Sequence, residues 1–531
     1  MEMDYNPSRK SFVDNKWVAT VASIWIQCTS GSLYTFTVYS PILKSTQGYD
    51  QSTLDTVSVF KDLGANIGIL SGLLYTPAAP WRALFAGAVQ CFAGYLLIWL
   101  TVTGALPPPP AAVMCFYMFL AAHAMTFFNT ADVVSGVHNF PNYRGVIVGI
   151  MKGFLGLSGA VLIQVYQTIF KNNTASYILL LALLPSINAI VLMGFVRTYQ
   201  TCEEDEKKYL NRFSVLALLL AAYLTAVTIF QHIFKLKSSL YVVTFVFLVL
   251  LLVFPVLVAV EAQRQKSYRM VKSLLEQNQI TQLLDGEDGS IITSCRQHEE
   301  LRETNNGDDD DDDDDGEDKT LLQSMKSINF WFLFYTTACG MGSGLATVNN
   351  ISQIGESLGY SPLATNTLVS LWSIWNFLGR FGAGYISDSF LHLRASPRPL
   401  FVAIALAAMS AGHALIACDA MGRGLYVGSV VVGIGYGSQW SLMPTVASEL
   451  FGKAHMGTIF NTITAAGPVG SYVLSVRVVG RLYDEEAAAQ GGGEKCIGSK
   501  CFMASFLIMG CVCFSGFVVA LCLMFRTRRF Y

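Results

Sequence analysis

The sequence predicts an all-α protein that crosses a membrane about fourteen times, and three observations support this fold class. The 531 residues are 53% hydrophobic and only 14% charged, with a mean hydropathy of +0.45. Such a chain has too little polar surface to cover a soluble protein of its size. Apolar runs of about 20 residues, long enough to cross a hydrocarbon core of ~30 Å, recur along the chain. The third observation is an internal repeat.

The apolar runs define the predicted spans. Several contain Gly or Pro, which membrane helices tolerate when neighbouring helices cover the backbone. The seventh and eighth runs are the least certain spans, so twelve spans is the alternative. The predicted orientation is the same in both cases, because these two runs are either both spans or both not. The fourteen runs are centred near residues 28, 66, 92, 125, 156, 187, 223, 250, 338, 375, 409, 436, 468 and 514.

Charge distribution predicts the orientation. Residues 1–16 are polar, lack the features of a signal peptide, and are expected to be cytosolic. Lys and Arg outside the spans lie mostly on the same side as this segment, as the positive-inside rule requires. An even number of spans also places the basic tail, residues 526–531, in the cytosol. The membrane itself, plasma membrane or a vacuolar or other endomembrane, stays open.

Two kinds of modification are predicted on the outer side. The sequons that begin at Asn172 and Asn350 fall there and are candidates for glycosylation. Cys496 and Cys501, in EKCIGSKC, fall there as well. Because that space is oxidising, we expect a short disulfide loop, with a pair of free thiols as the alternative.

The repeat divides the chain into two halves. At a spacing of roughly 311 residues, segments of similar sequence recur in the same order. Gly68 matches Gly379 at this spacing, and Gly145 matches Gly457 at a spacing one residue longer. We therefore expect two six-helix halves with two additional spans and a cytosolic loop between them. The expected boundaries are 17–200, 212–260, 261–326 and 327–525.

The loop, residues 261–326, contains an unbroken aspartate run from Asp308 to Asp315. Like charges at this density repel and few apolar groups are available for burial, so we interpret the loop as a disordered linker. It lacks the spaced ligands and turn glycine of a calcium loop. Glu317, Leu321 and Leu322 form an acidic dileucine pattern that is a possible site for sorting adaptors.

Two parallel six-helix halves resemble the major facilitator superfamily, which binds substrate between the halves near the bilayer midplane. NFLGRFGAGYISD, which ends at Asp388, is similar to the inner-loop signature of that superfamily. The resemblance implies that Asp388 pairs with nearby basic residues, here Arg394 and Arg398, and latches one conformation. The N-terminal counterpart, LLYTPAAPWR, lacks the aspartate. An inner gate that is latched on one side only is therefore expected.

A more specific resemblance covers most of the chain. The phrases WVATVASIWIQCTSGSLYTFTVYSPILK, GYDQSTLDTVSVFKDLG and NFPNYRGVIVGIMKGFLGLSGA are similar to the plant nodulin-like branch of the superfamily, which includes the nuclear-fusion-defective-like proteins. The resemblance implies a plant source and a membrane transporter. It implies no particular substrate.

Lys152 lies in the fifth span, about 12 Å from its inner end at 1.5 Å per residue. Positions three, four and seven residues away share its helix face. Four of these six positions are glycine, the other two being Val148 and Leu155, and small residues mark the side on which membrane helices pack closely. Lys152 is therefore predicted to face protein. The glycines are Gly145, Gly149, Gly156 and Gly159.

Other charged residues also lie inside predicted spans. Lys61 shares a face with small residues, and Asp62 lies on a neighbouring polar stripe. Asp132 shares a face with Asn129, and His123 projects to the opposite side of the same span. Asp62, Asp132 and His123 are candidates for carrying a coupling proton, because carboxylates and imidazole can titrate near neutral pH in such surroundings.

The tenth predicted span carries Arg380, also about 12 Å from the inner end, with Asn376 one turn away. These two residues resemble the monocarboxylate branch of the superfamily, in which an arginine of the equivalent helix meets the substrate carboxylate. Gln439 and Trp440 lie mid-span beside glycines and are candidates for lining the same cavity.

Two interpretations of these charges remain open. Ionised groups inside a membrane cost at least ~2.5 to 3.5 kcal/mol each, so they are retained where they pair, meet water or bind. Lys61, Lys152 and Arg380 either line a cavity for an organic anion or zwitterion, or pair with the aspartates and hold helices together.

The function classes narrow accordingly. The sequence contains no nucleotide-binding glycine loop, metal-binding spacing or catalytic triad, so we predict neither an enzyme nor a cofactor, and no nucleic-acid partner. The leading prediction is a secondary transporter for a small carboxylate or amino acid, coupled to protons and working by alternating access. The alternative is a membrane sensor or scaffold that signals through its acidic loop.

Overall fold

The structure is a computed structural model. It describes residues 15–49, 51–170, 173–199, 205–233, 238–284, 318–360, 362–418, 424–491 and 496–531. Four predicted features lie outside the described residues: the terminal segment 1–14, the sequon residue Asn172, the aspartate run, and Glu317.

The N-terminal half is helical throughout its described spans. Its helices are α1 (Lys16–Ser30), α2 (Phe36–Gln47), α3 (Gln51–Asn66), α4 (Ile69–Leu74), α5 (Trp81–Val102), α6 (Ala111–Asn139), α7 (Arg144–Val165) and α8 (Thr174–Leu192). The first span consists of α1 and α2 joined by a 3₁₀ turn, Ser32–Thr35. The second consists of α3 and α4, and a π-helical turn, Tyr166–Phe170, extends α7.

Two long helices follow, and then the C-terminal half. The additional helices are α9 (Glu206–Ile233) and α10 (Ser238–Leu284). The C-terminal half contains α11 (Leu321–Lys326), α12 (Ile328–Ser357), α13 (Pro362–Arg394), α14 (Pro399–Cys418), α15 (Gly424–Leu450), α16 (Met456–Thr464), α17 (Ala466–Ser471), α18 (Arg481–Ala489) and α19 (Lys500–Thr527). A π-helical segment, Tyr472–Gly480, joins α17 to α18.

Helix covers the centre of every predicted span. Within the described ranges, ten helices are long and apolar enough to cross a membrane by length and composition. The spans outside this group are the broken first span, α12, α13 and α15. Most of α15 is buried by other helices. Because protein rather than lipid surrounds such a helix, it tolerates glycine and polar side chains that lower its hydropathy.

The apolar side chains form two main clusters, one in each half. The first contains buried residues between Trp17 and Ala262, and the second contains buried residues between Phe330 and Leu523. Phe377 and Phe381 of α13 belong to the first cluster although they lie in the second half of the chain. The two halves therefore have separate cores, and α13 packs across the boundary between them.

The additional helices pack against the N-terminal half. Trp25 of α1 donates from Nε1 to the backbone oxygen of Leu252 in α10, at 2.8 Å. Lys16 Nζ, at the start of α1, lies 2.6 Å from Glu206 Oε1, at the start of α9, and both side chains are 1% exposed. This buried ion pair places the starts of the first and seventh spans at the same end of the bundle, as odd-numbered spans require.

Glycine pairs bring the two halves into close contact at two places. A Cβ atom on Gly384 of α13 would lie 2.2 Å from the oxygen of Gly145 in α7. A Cβ atom on Gly72 of α4 would lie 2.5 Å from the backbone of Thr458 in α16. Larger residues would force these helices apart. Each contact joins one helix of the first half to one helix of the second. The repeat relates the two contacts, because Gly145 matches Gly457, the residue before Thr458.

The buried pair between α1 and α9 predicts a specific pattern of stability. Lys16→Met removes the buried cation beside the carboxylate of Glu206, and we expect a loss of about 3–5 kcal/mol in the free energy of unfolding. Replacing both residues, Lys16→Met with Glu206→Leu, should restore most of that loss. Thermal unfolding of the purified protein in detergent measures both effects.

An exposed pair provides the control. Arg212 and Glu261 also join α9 to α10, but their side chains are 39% and 46% exposed. Arg212→Met should therefore change the free energy of unfolding by less than about 1 kcal/mol. Equal losses for Lys16→Met and Arg212→Met would contradict the buried character of the first pair.

Candidate functional site

Lys152 and Arg380 meet at the boundary between the two halves. Lys152 of α7 is fully buried, and its Nζ lies 4.9 Å from the ring centroid of Trp440 and 4.9 Å from that of Phe460. Arg380 of α13 is 2% exposed, and its guanidinium carbon lies 5.3 Å from the centroid of Trp440. The two cations thus share one indole ring, which belongs to α15.

Arg380 is held by neutral oxygen atoms. Its Nε donates to Asn376 Oδ1 at 2.6 Å, its Nη1 to the backbone oxygen of Lys152 at 3.3 Å, and its Nη2 to the hydroxyl of Tyr34 at 3.4 Å. Lys152 Nζ has no hydrogen-bond partner in the part of the chain that the structure describes. Among the described residues, neither cation forms an ion pair. The centre of the molecule therefore holds two basic side chains, and no acidic side chain in the described ranges pairs with either.

The glycine stripe of α7 positions this site, as the sequence predicted. Gly145 and Gly149 lie against the backbone of α13, and a Cβ on Gly156 would lie 3.8 Å from Cδ of Arg380. Gly159 lies against Tyr34, the residue that binds Arg380. Because no Cβ intervenes on this face, Lys152 and Arg380 come from different halves and still lie together.

Lys61 and Asp62 form a separate pair. Lys61 Nζ lies 3.3 Å from Asp62 Oδ1 and 4.9 Å from the ring centroid of Phe36. Their side chains are 13% and 33% exposed. The structure does not bring Lys61 to Lys152 and Arg380, and for this pair the geometry matches the alternative in which the charges neutralise each other.

Asp132 is completely buried in α6. Its Oδ2 accepts a hydrogen bond from Nε2 of Gln27 in α1 at 2.7 Å, and its Oδ1 accepts no hydrogen bond from the residues that the structure describes. The carboxyl group thus has one satisfied and one unsatisfied oxygen, in a place that solvent does not reach. Asn129, on the same face, also has a buried Oδ1 with no partner.

The sequence offered His123 and Gln439 as further candidates, and their contacts in the structure are with residues other than the two cations. The Nδ1 of His123 lies 3.1 Å from Gln90 Oε1, and the ring stacks on Phe119 at a centroid distance of 5.4 Å. The side chain of Gln439 packs against Gly340 of α12. Both residues were candidates from the sequence, and both lie in contacts within one half.

A second network joins the halves at the end of the bundle where α7 begins. Asp388 accepts hydrogen bonds from the backbone amides of Gly145, at 3.0 Å, and Val146. It also forms an ion pair with Arg398, which in turn binds Glu449. Tyr531 donates its hydroxyl proton to Glu449 Oε2 at 2.6 Å. Asp388 and Arg398, which the sequence predicted for an inner gate, are thus at the centre of this network.

The electrostatics of the gate follow from this packing. Burial opposes the charged form of Arg398, but Glu449 and Asp388 together raise the pKa of Arg398 above its usual value. Burial and the neighbouring carboxylate of Glu449 raise the pKa of Tyr531 well above its ordinary range. Arg398 therefore stays charged, and Tyr531 stays a hydrogen-bond donor.

One predicted member of the gate is elsewhere. Arg394, the last residue of α13, is exposed and lies over the ring of Phe390, at 5.9 Å. In the described part of the chain it forms no ion pair. Its position after the end of the signature made it a candidate, but α13 continues to that residue and turns it toward solvent. Glu449 and Tyr531 were not predicted, because nothing local in the sequence connects them to Asp388.

The outer-side predictions are placed as follows. The sulfur atoms of Cys496 and Cys501 are joined in a disulfide. Asn350 lies inside α12, and its Nδ2 donates to the oxygen of Ala346 at 2.7 Å and to Ser475 Oγ at 2.9 Å. An amide engaged within the bundle is a poor acceptor for a bulky glycan, which requires an exposed site. The predicted glycosylation at Asn350 therefore does not fit its position.

The dileucine residues lie just before the C-terminal half. Leu321 and Leu322 begin α11, and Leu322 is 73% exposed. Thr320 caps this helix through Gln323 in a capping box. The leucine pair is thus part of a helix rather than an extended segment.

Three further residues complete the surroundings of the two cations, and the sequence did not single them out. Tyr34 comes from the 3₁₀ turn of the broken first span, Phe460 from α16, and Tyr436 from α15, where its ring lies 6.3 Å from that of Trp440. Aromatic residues are frequent in every span. Only a tertiary arrangement could select these three.

Comparisons with known proteins agree with this architecture. The nodulin-like family model matches residues 16–260, and the model described as the NFD4 C-terminal domain matches residues 317–531. The protein NUCLEAR FUSION DEFECTIVE 4 of Arabidopsis thaliana is 26% identical over 97% of this chain and 89% of its own length. The probable transporter mch1 of Emericella nidulans is 24% identical over 91% of this chain and 81% of its own.

Solved structures show the same fold. The proton:xylose symporter XylE superposes with a TM-score of 0.52 at 13% identity, covering 97% of this chain and 95% of that one. The transporter FucP in its outward conformation superposes with a TM-score of 0.51 at 11% identity, covering 96% and 99%. Together, the two family models, the relatives and these folds identify the protein as a multi-pass membrane protein. The chain belongs to the nodulin-like, nuclear-fusion-defective-like branch of the major facilitator superfamily of transporters.

Proposed function

We propose that the protein is a secondary transporter of small organic anions, coupled to protons and working by alternating access of its two halves. The observation that carries this proposal is the pair of buried cations, Lys152 and Arg380, which share Trp440 and have no counterion among the described residues. Buried charges in a membrane persist where they pair, meet water or bind. An anionic substrate supplies the missing charge.

The surroundings favour a carboxylate over an amino acid. The ammonium group of a zwitterion would need an acidic partner close to the bound carboxylate. The two aspartates that the sequence predicted inside the N-terminal spans have other partners: Asp62 pairs with Lys61, and Asp132 accepts a hydrogen bond from Gln27. Arginine, with its planar set of donors, suits a carboxylate well.

The gate supports a cycle in which access alternates. The Asp388 network and the two glycine contacts close the end of the bundle at which α1 and α7 begin. Tyr34 lies farther along the first span, away from this closed end. Its hydroxyl accepts a hydrogen bond from Arg380, and the residue is 40% exposed. We infer that the two cations are reached from the Tyr34 side in this conformation, because the other end is closed and Tyr34 is partly exposed. The distribution of Lys and Arg assigns the closed end to the cytosol, together with both ends of the chain.

Asp132 is the residue that we assign to proton coupling. It is buried, and its Oδ1 accepts no hydrogen bond from the described residues. A proton can therefore bind to this oxygen without displacing a partner. Asp132 lies on α6, and Gln27 links it to the first span, which also carries Tyr34 of the cation site. Protonation of Asp132 can thus influence the site through the first span.

The anion site predicts a loss of transport on removal of either charge. Lys152→Gln or Arg380→Gln removes a charge-assisted contact worth about 1.5–3 kcal/mol, which corresponds to an affinity loss of about 10- to 100-fold. The measurement is uptake of a panel of carboxylates into proteoliposomes, with internal pH recorded. Lys61→Gln is the matched control, because that lysine pairs with Asp62, and it should retain most of the uptake. A full loss in the control with none in Lys152→Gln would contradict the assignment.

Coupling predicts a different result for Asp132→Asn. Asparagine keeps the hydrogen bond to Gln27 but cannot exchange a proton. We expect exchange of substrate across the membrane to continue, while accumulation driven by a pH gradient disappears. Both are measured in the same proteoliposomes, with Asp62→Asn as the control that should keep accumulation. Accumulation by Asp132→Asn at the rate of the unmodified protein would remove Asp132 from the mechanism.

The gate predicts a shift in accessibility. Asp388→Asn removes the negative charge that accepts the backbone amides of Gly145 and Val146, and each charge-assisted contact of this kind contributes about 1.5–3 kcal/mol to holding the two halves together at the closed end. A cysteine at Val146, which is 6% exposed, reports opening through its reaction with a thiol reagent. We expect at least about tenfold faster labelling in Asp388→Asn, after subtraction of labelling in the chain without that cysteine. Arg394→Ala, which removes an exposed arginine, should label at the original slow rate; no change in Asp388→Asn would contradict the gate.

A further inference from the structure

We propose that the central site selects organic dianions, that is, small molecules carrying two negative charges on two carboxylates or on one phosphate. This inference rests on the proposed function, because it concerns the substrate of the same site. Its starting point is the charge of the site. Lys152 in its protonated form contributes one positive charge and Arg380 a second, and both side chains are buried.

The contacts around the site leave this charge uncompensated. Arg380 donates to an amide oxygen, a backbone oxygen and a phenol, all of them neutral. Lys152 Nζ faces the rings of Trp440 and Phe460. Cation–π contacts contribute about 0.5–2 kcal/mol, so they hold the ammonium group in place without cancelling its charge.

The acidic residues of the surrounding helices are already committed. Asp62 pairs with Lys61, and Asp132 accepts a hydrogen bond from Gln27 in the interior of the N-terminal half. At the gate, Asp388 and Glu449 both bind Arg398. In the described part of the chain, no acidic side chain thus pairs with Lys152 or Arg380.

The charge of the ligand decides how well the loaded site tolerates closure. A charge enclosed in a low-dielectric interior is costly, and attraction between opposite charges is strong there. A monoanion leaves the closed site with one net positive charge. A dianion makes it neutral, so the conformation in which the halves close over the ligand is reached at lower cost.

The origin of the two cations adds a geometric reason. Lys152 belongs to α7 of the first half, and Arg380 belongs to α13 of the second. A ligand with two anionic groups can bind one cation of each half at the same time. The aromatic side chains Trp440, Phe460 and Tyr34 provide apolar contact for an organic body between those groups. Binding and movement of the halves are thereby coupled through the ligand.

The test compares probes of matched size and different charge. Succinate and its monoamide, succinamate, have nearly the same shape at neutral pH but carry two charges and one. We expect succinate to compete at least about tenfold more strongly than succinamate, both in uptake by proteoliposomes and in thermal stabilisation of the detergent-solubilised protein. Glycerol 3-phosphate, run in parallel, distinguishes a phosphate dianion from a dicarboxylate.

Removing one cation should abolish the preference. In Lys152→Gln the site carries a single charge, and succinate and succinamate should then compete within about twofold of each other. Arg380→Gln is tested in parallel, and Lys61→Gln, which leaves both central cations in place, should keep the preference. Thermal unfolding of each variant verifies that it is folded.

The outcomes separate the two proposals. Stronger competition by succinate or by glycerol 3-phosphate than by succinamate supports dianion selection and identifies the anionic group. Equal or stronger competition by succinamate overturns dianion selection, while anion transport stands. If none of the three anions binds or is transported, the proposed anion transport fails, and dianion selection fails with it.

Discussion

The close approach of α7 and α13 is the constraint on which the centre of this protein depends. Gly145 and Gly384 meet without Cβ atoms, and Gly149 and Gly156 continue the same contact toward the middle of the membrane. Close packing in lipid relies on such small residues, because apolar burial offers no advantage over contact with acyl chains. This contact places Asp388 of α13 against the first turn of α7, and it places Arg380 of α13 beside Lys152 of α7. A larger side chain at Gly145 or Gly384 would disturb the gate and the cation site together.

The glycine pattern also shows how far the sequence alone could lead. Helical spacing predicted that Lys152 faces protein, and Arg380 and Asn376 were predicted one turn apart; the structure joins them by a hydrogen bond of 2.6 Å. The spans and the repeat were predicted because each depends on local composition and on order along the chain. These features require no knowledge of which helices touch.

Other contacts could not be derived in this way. For Lys61 and Asp62 the sequence left pairing and cavity lining both open, and the surrounding helices decide between them. Tyr34 reaches Arg380 because the first span breaks at Gly31, where α7 comes so close that a Cβ would lie 1.7 Å from Ser158 Oγ. Glu449 joins the gate from a different helix. Each of these depends on tertiary packing, for which a single sequence carries no direct signal.

Asp388 interacts with three partners that belong to different parts of the molecule. Its carboxylate accepts two backbone amides at the start of α7, in the first half, and binds Arg398 at the start of α14, in the second. A helix N-terminus attracts negative charge, so the carboxylate also interacts with the dipole of α7. When α7 moves away, Asp388 loses both backbone amides and the helix dipole together, while its ion pair with Arg398 in the same half remains. The inner gate should consequently behave as an all-or-none switch with few intermediate openings, which limits leakage of ions during the transport cycle.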